Sequence, residues 1–214
     1  TLFRSIPFDA KCILEVGCAA GMTGQELKKR SGVFVAGIEL NAKAAEVAKT
    51  VLDDVVQGSI EDMDLPYSDR SFDCILFADV LEHLIDPLSA LIRVRRLLKK
   101  GGTVVASIPN VQFHGVIHKL IEGNWTYEKE GILDETHLRF FTYKEIVKLF
   151  NQAGYSIEAV EEVLDPQYEK LYSMNSTAIN FGRTKIKDLT PEEIKRFFVF
   201  QYKIVVSPTN VNRN

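Results

Sequence analysis

The chain has little cysteine, no surplus of one charge and no long apolar run, and each shortage removes a class of protein. Three cysteines in 214 residues are too few, and odd in number, for a disulfide framework. Cys12, Cys18 and Cys74 fall in or beside predicted core strands and read as buried free thiols, so a reducing, cytoplasmic setting is expected. Lys and Arg number 26 against 29 Asp and Glu, a formal net charge of −3, which gives no general pull toward nucleic acid or an anionic membrane. No apolar run approaches the roughly 20 residues of a membrane span, and the opening Thr-Leu-Phe-Arg-Ser-Ile has no signal-peptide core. A soluble protein is expected. Internal repeats and low-complexity segments are also missing.

What is present is enough apolar sequence, 46%, to bury a sizeable core as one domain with elaborations over residues 1–214. The organising stretch is residues 12–24. An apolar strand through Ile13, Leu14 and Glu15 breaks at Gly17 into a turn of small residues, Cys18, Ala19, Ala20 and Gly21, and opens into an amphipathic segment, Gln25 to Arg30. Strand, tight loop and helix form the front end of a nucleotide-binding α/β sheet, where glycine and alanine let backbone amides approach a ligand closely. The dinucleotide fingerprint needs glycine at positions 19 and 22, and Ala19 and Met22 weaken it. A second acid, Glu39, ends the next apolar run; its two oxygens suit both hydroxyls of a ribose.

Strand and helix then alternate. Asn41 caps an alanine-rich helix to Val51; Asp54–Gln57 is a third strand and Phe72–Ala78 a fourth, apolar on both faces as a central parallel strand should be. Asp86-Pro87 starts a helix whose basic end, Arg93 to Lys100, is read as a solvated face before Gly101-Gly102 stops it. Strand five is Thr103 to Ile108. Residues 111–141 form a long aromatic-rich insertion at the ligand-bearing edge, where a lid or acceptor site belongs. Thr142 and Glu145 predict a capping box for a helix to Ala153, and Tyr155 to Val163 a sixth strand. A less regular stretch precedes the capped start Thr190-Pro191 and a last strand, Phe198 to Val206. At the start, Leu2, Phe3, Ile6 and Phe8 are expected to pack on the domain.

Taken as a set, Ile13 to Gly21, Glu39, Ser71-Phe72-Asp73 through Asp79-Val80-Leu81-Glu82-His83-Leu84, Pro109-Asn110 and Asp134-x-Thr136-His137-x-Arg139-Phe140-Phe141-Thr142 resemble one branch of the class I S-adenosylmethionine-dependent methyltransferases. That branch is similar in its first half to the ubiquinone-biosynthesis O-methyltransferases, and its members often accompany polysaccharide glycosyltransferases. The resemblance covers about residues 10–163. It implies a Rossmann-like α/β fold: a seven-stranded, mostly parallel sheet with helices on both faces and a last, antiparallel strand slotted beside the fifth. It implies S-adenosylmethionine as cofactor and S-adenosylhomocysteine as product. Gly17 and Ala19 should lie against the methionine part, with Glu15, Cys18 and Gly21 of the same turn as further cofactor-binding residues. Glu39 should hold the ribose hydroxyls with Leu40 beside it, Ser59, Ile60 and Glu61 should flank the adenine, and the Ala78-Asp79 backbone should meet the amino group. In the family an acid usually stands where this chain has Ser59.

Methyl transfer to oxygen gains from a base near neutral pH, the property of histidine. His83, after the fourth strand, and His137 are the candidates, His83 also as a cofactor contact and His137 also as a substrate contact with Asn110 and Arg139; Arg139 could equally pair with Asp134 or Glu135. His114 and His118 have the spacing of a metal pair but lack further ligands, so no metal site is read there. Trp125, Tyr127, Phe140 and Phe141 are pocket or packing aromatics. The expected activity is methyl transfer from S-adenosylmethionine to a small-molecule or glycan acceptor, at oxygen. The alternatives are a methyltransferase-like binding domain without catalysis and a nucleotide-dependent oxidoreductase.

Overall fold

The computed structural model describes residues 2–173 and 176–209. The expected domain span 1–214 thus includes residues 1, 174–175 and 210–214, which lie outside the described residues. Strand and helix alternate through β1 (Cys12–Val16), α1 (Met22–Leu27), β2 (Phe34–Glu39), α2 (Ala42–Ala48), β3 (Asp54–Gln57), β4 (Phe72–Ala78), α3 (Pro87–Arg95) and β5 (Leu98–Pro109). There follow α4 (His114–Ile121), α5 (Tyr143–Gln152), β6 (Tyr155–Leu164), α6 (Gln167–Ser173), β7 (Ile179–Phe181), β8 (Thr184–Ile186), α7 (Pro191–Phe198) and β9 (Val199–Pro208). Seven strands make one sheet in the order β3-β2-β1-β4-β5-β9-β6, with β7 and β8 a separate hairpin. The strands β1 to β5 pair in parallel, and β9 runs antiparallel to both β5 and β6. The expected architecture, including the antiparallel strand beside the fifth, is the one observed.

Alternation along the central strands divides the core into two faces. Leu14, Val16, Ile75 and Phe77 pack under α3 and α5, with Leu91, Ile146 and Phe150 above them. Ile13, Val35, Cys74 and Leu76 face the other way, against Leu27 of α1, Ala48 of α2 and Ile6 of the amino-terminal segment. Both faces are covered, as parallel strands require. Chain order reverses between β1 and β4, so their carboxyl ends open the crevice in which doubly wound sheets bind ligands.

Several local expectations differ from what the tertiary structure selects. Helix α1 begins at Met22 rather than Gln25 because Gly21, at φ +81°, turns the chain directly into it. Helix α2 ends at Ala48, three residues before Val51. Helix α3 ends at Arg95, well before Gly101, since Leu97 is buried in the turn that follows and Leu98 opens β5; β5 then bulges, pairing Leu98 with Phe72 and Thr103 with Cys74. The arginines of that segment are staples more than a solvated face. Arg93 donates to the carbonyls of Glu61 and Met63, and Arg96 to those of Leu65 and Tyr67, fastening the loop after β3.

Thr142 makes no side-chain cap bond and Glu145 pairs with Lys148 instead, so that capping box does not form; the box at Thr190 and Glu193 does. The less regular stretch before it contains α6 and the β7-β8 hairpin, which pack with α7 around Ile179, Phe181, Ile194 and Phe198. Phe8 is 83% exposed, contrary to its expected packing, whereas Ile6 is buried.

Residues 111–141 have a small core of their own, Val116, Ile132 and Leu133 with Phe113 and Phe140 around them. Their far end is tied back across the strand ends. Val111 N–H donates to Phe141 O, and the Leu138 and Arg139 amides both donate to Glu82 O. No helix among the described residues is long and apolar enough to cross a membrane.

Candidate active site

At the carboxyl ends of β1, β2 and β4 lies a cavity of about 240 Å³. Its floor is the turn after β1. Gly17, at φ +69°, packs so closely on Val80 that a Cβ there would come within 2.6 Å of the Val80 Cγ2, and the Gly17 and Cys18 amides both donate to Ile38 O. Glu39 at the tip of β2 ties this turn to the next helix: Oε2 accepts from Ala19 N–H and Oε1 from Asn41 N–H, both at 2.7 Å. Each oxygen keeps a second lone pair for a ligand hydroxyl. Apolar Ile38, Leu40, Ile60 and Leu84 line the walls with Gly58 and Ser59.

A larger cavity, about 510 Å³, adjoins it and is lined by Asp79, Glu82, His83, Pro109, Gly131 and His137 among others. Asp79 and His83 line both cavities. Asp79 sits at φ +53°, and its Oδ1 accepts from the Ser107 hydroxyl at 2.8 Å and Gln201 Nε2 at 2.6 Å, so β5 and β9 hold it at the junction. His83 and His137 approach edge to face with ring centroids 4.7 Å apart. His137 Nδ1 lies 3.0 Å from Ile132 O, an acceptor only, which selects the Nδ1–H tautomer and leaves the Nε2 lone pair free. His83 Nδ1 lies 3.2 Å from both the carbonyl and the hydroxyl of Thr136; that hydroxyl donates to Asp134 Oδ1 at 2.6 Å, so it can only accept from the ring. Both imidazoles therefore offer Nε2 as a base.

Glu82, between them in the chain, is 1% exposed, and its Oε2 has no hydrogen-bond partner. Burial, with the neighbouring Asp79 charge adding to it, pushes the Glu82 carboxyl up to about 8. Sequence reasoning missed Glu82 as a site residue; its signal was adjacency to His83 at the end of β4.

The other candidates fall in different places. Ser59 Oγ accepts from Glu61 N–H, and the Glu61 carboxylate accepts from the Ile85 and Asp86 amides, so both line the first cavity while most of their polar capacity holds the loop. Cys18 turns its thiol into the core onto Gly37, away from the cavity, and burial pushes it up to about 12, which suits packing and not nucleophilic attack. Glu15 is buried beneath the turn beside Thr23 and Gly24, with Oε2 unpartnered. Asn110 is fully buried and spent on backbone, donating to the Arg196 and Val199 carbonyls and accepting from Gln112 N–H; it fixes the start of the insertion and does not reach the cavity. Arg139 lines neither cavity, and its guanidinium donates to the Leu138 and Ile85 carbonyls, pairing with neither Asp134 nor Glu135. His114 pairs with Asp165 and His118 with Glu122. Trp125 packs edge-on against Phe140 beside a separate apolar groove, and Phe141 lies in the main core.

A family model described as a methyltransferase domain matches residues 2–160. The ubiquinone biosynthesis O-methyltransferase of Aromatoleum aromaticum is 26% identical over 188 residues, spanning 83% of this chain and 78% of that one. The protein of the same name from Neisseria meningitidis serogroup A is 24% identical over 180 residues, spanning 80% and 75%. Among solved structures, an S-adenosylmethionine-dependent methyltransferase of Thermotoga maritima, described as a possible histamine N-methyltransferase, matches 96% of this chain and 85% of its own with a TM-score of 0.64 at 20% identity, a likeness of fold.

Proposed function

The chain belongs to the methyltransferase-domain family and is an S-adenosylmethionine-dependent methyltransferase; from that premise we propose that it methylates an oxygen of a small-molecule or glycan acceptor held in the larger cavity. When bound, the cofactor supplies a methyl group activated by its sulfonium. The residues of the smaller cavity fit such a molecule. The Glu39 carboxylate stands there with a lone pair to spare on each oxygen, Leu40 and Ile60 offer faces for the base, and the Gly17 turn presents backbone. His83 and Asp79 mark where the two ligands meet.

The observation that carries the reading is that junction. In-line displacement gains most from positioning, and the shared wall brings an acceptor hydroxyl to the methyl donor beside two ring nitrogens with free lone pairs. Methyl transfer would form the C–O bond as the methyl–sulfur bond breaks, its electron pair staying on the sulfur of S-adenosylhomocysteine, and the hydroxyl proton would pass to Nε2 of His83 or His137, whose Nδ1–H is already anchored on Thr136 or Ile132. The O-methyltransferase names of the curated relatives support oxygen as the methylated atom.

The test is formation of S-adenosylhomocysteine with a panel of sugars and quinone-like phenols. Turnover is expected with one of these classes, and His83→Ala and His137→Ala should each lower kcat by about 10²–10⁴, with little change in cofactor KM for His137→Ala, since His137 lines only the larger cavity. Unchanged turnover in both variants from about pH 6 to 9, around the ordinary histidine value, would remove the base assignment.

A further inference from the structure

Four carboxyl groups line the larger cavity, those of Asp79, Glu82, Glu130 and Asp134, and among its described lining residues there is no Lys or Arg. Lysines of the insertion are matched elsewhere, Lys119 with Glu128 and Lys129 with Glu135. Where the cavity acids are held at all, the donors are neutral. Asp79 Oδ1 accepts from Ser107 and Gln201. Asp134 Oδ1 accepts from the hydroxyl and amide of Thr136, which hold that carboxyl below the usual range and keep its charge at neutral pH. The sign that these acids await a ligand is Glu82, which is 1% exposed yet lines the cavity with an Oε2 that no donor meets. A buried acceptor inside a negative field is completed by a positively charged hydrogen-bond donor. The two ends of the cavity also differ. Asp79 and His83 line the cofactor cavity as well, whereas Glu130 and Asp134 of the insertion and Phe200 of β9 line the larger cavity alone. Phe200 is 39% exposed, and an aromatic wall attracts a cation and packs against a ring.

We propose that the acceptor is a cation, a small hydroxylated amine whose ammonium lies among Glu82, Glu130 and Asp134 while its hydroxyl stands at the junction beside Asp79 and His83. The inference rests on the methyl-transfer reading and narrows its acceptor to molecules that carry both a protonated amine and a hydroxyl, such as an amino sugar or a phenolic amine. An ammonium has no lone pair, and carboxylates around it strengthen its hold on its proton. The nitrogen is therefore a handle, and the methyl group goes to oxygen. The same field repels an anionic acceptor, and a neutral one leaves the Glu82 oxygen and the three other acids without a partner of opposite sign.

The experiment uses the full chain in the presence of S-adenosylhomocysteine. Glucosamine and tyramine are titrated by calorimetry beside their neutral N-acetyl forms and beside glucuronate, and turnover of the same probes with S-adenosylmethionine is followed by mass spectrometry of the product. The expected result is that at least one amine binds about 10-fold or more tighter than its N-acetyl form, by a margin that shrinks as salt is raised. Glu130→Gln and Asp134→Asn should each cut that margin by about 3-fold or more, with the thermal shift by S-adenosylhomocysteine retained as proof of fold and cofactor site. Glu130 is exposed, so its substitution leaves the core untouched. No amine binding, equal binding of amine and N-acetyl forms, tighter binding of glucuronate, a margin that both substitutions leave unchanged, or a product methylated on nitrogen overturns the proposal. Amine binding that depends on these acids, with no S-adenosylhomocysteine formed from any acceptor, would instead count against the methyltransferase reading, so the two fail separately.

Discussion

Glu15 and Glu39 stand near the tips of neighbouring strands, and their surroundings treat them differently. Glu39 accepts two backbone N–H groups at 2.7 Å, while Glu15 Oε2 has no partner and burial lifts that carboxyl from 4.5 to about 7. Below about pH 4.5 folded and unfolded chains both carry the Glu15 proton. Between 4.5 and 7 the unfolded chain releases it and the folded chain keeps it, so this group makes stability fall as pH rises across that window, by up to roughly 3 kcal/mol. Glu15→Gln, neutral throughout, should match the native chain at pH 4 and be more stable at pH 8, as urea unfolding would show; equal stability at pH 8 would refute the buried cost. Ala19, at φ +46°, carries a Cβ in the left-handed region, where the dinucleotide pattern would have glycine. Ala19→Gly is expected to stabilise the chain by about 0.5–1 kcal/mol in the same assay. The alanine was legible as a departure from a motif; that it bears a strained backbone was not, because φ follows from the loop's anchoring to Ile38 and Glu39.

Helix ends show what local pattern can and cannot decide. Thr142-x-x-Glu145 and Thr190-x-x-Glu193 read alike, yet in the second Thr190 Oγ1 accepts from Glu193 N–H and the Glu193 carboxylate accepts from Thr190 N–H, while Thr142 makes no cap bond. Thr190→Ala should therefore cost about 1 kcal/mol and Thr142→Ala only a few tenths, read as the shift in urea midpoint at constant slope; equal costs would mean the caps act through something other than these bonds. The ends of α3 and β5 were misplaced for a similar reason. Arg93 to Lys100 has helical composition, but burial of Leu97 and Leu98 beside Phe72 outweighs propensity there.

Across the whole molecule the sheet brings four distant segments to one crevice. Residues 16–17, 38–40 and 58–61 line the smaller cavity, and the end of β4 divides it from the larger one, which Glu130, Gly131, Asp134 and His137 line from the insertion. A ligand binding only the folded form should raise its stability by about 2.7 kcal/mol at 100 times its dissociation constant, or roughly 5–10 °C for a chain this size. S-Adenosylhomocysteine should do so and NAD should not; a shift with NAD alone would return the dinucleotide reading. The alternation of strands and helices along the chain, the glycine turn after β1 and the position of Glu39 at the end of β2 were determined by the sequence, because apolar period, glycine placement and capping act between near neighbours, while the order of strands in the sheet was implied only by the family resemblance. The loss of Asn110 and Arg139 from the site, and the gain of Glu82, were decided only by the tertiary structure. Whether a polar side chain faces a ligand depends on which backbone groups remain unpaired around it once distant segments have packed, and no local spacing encodes that.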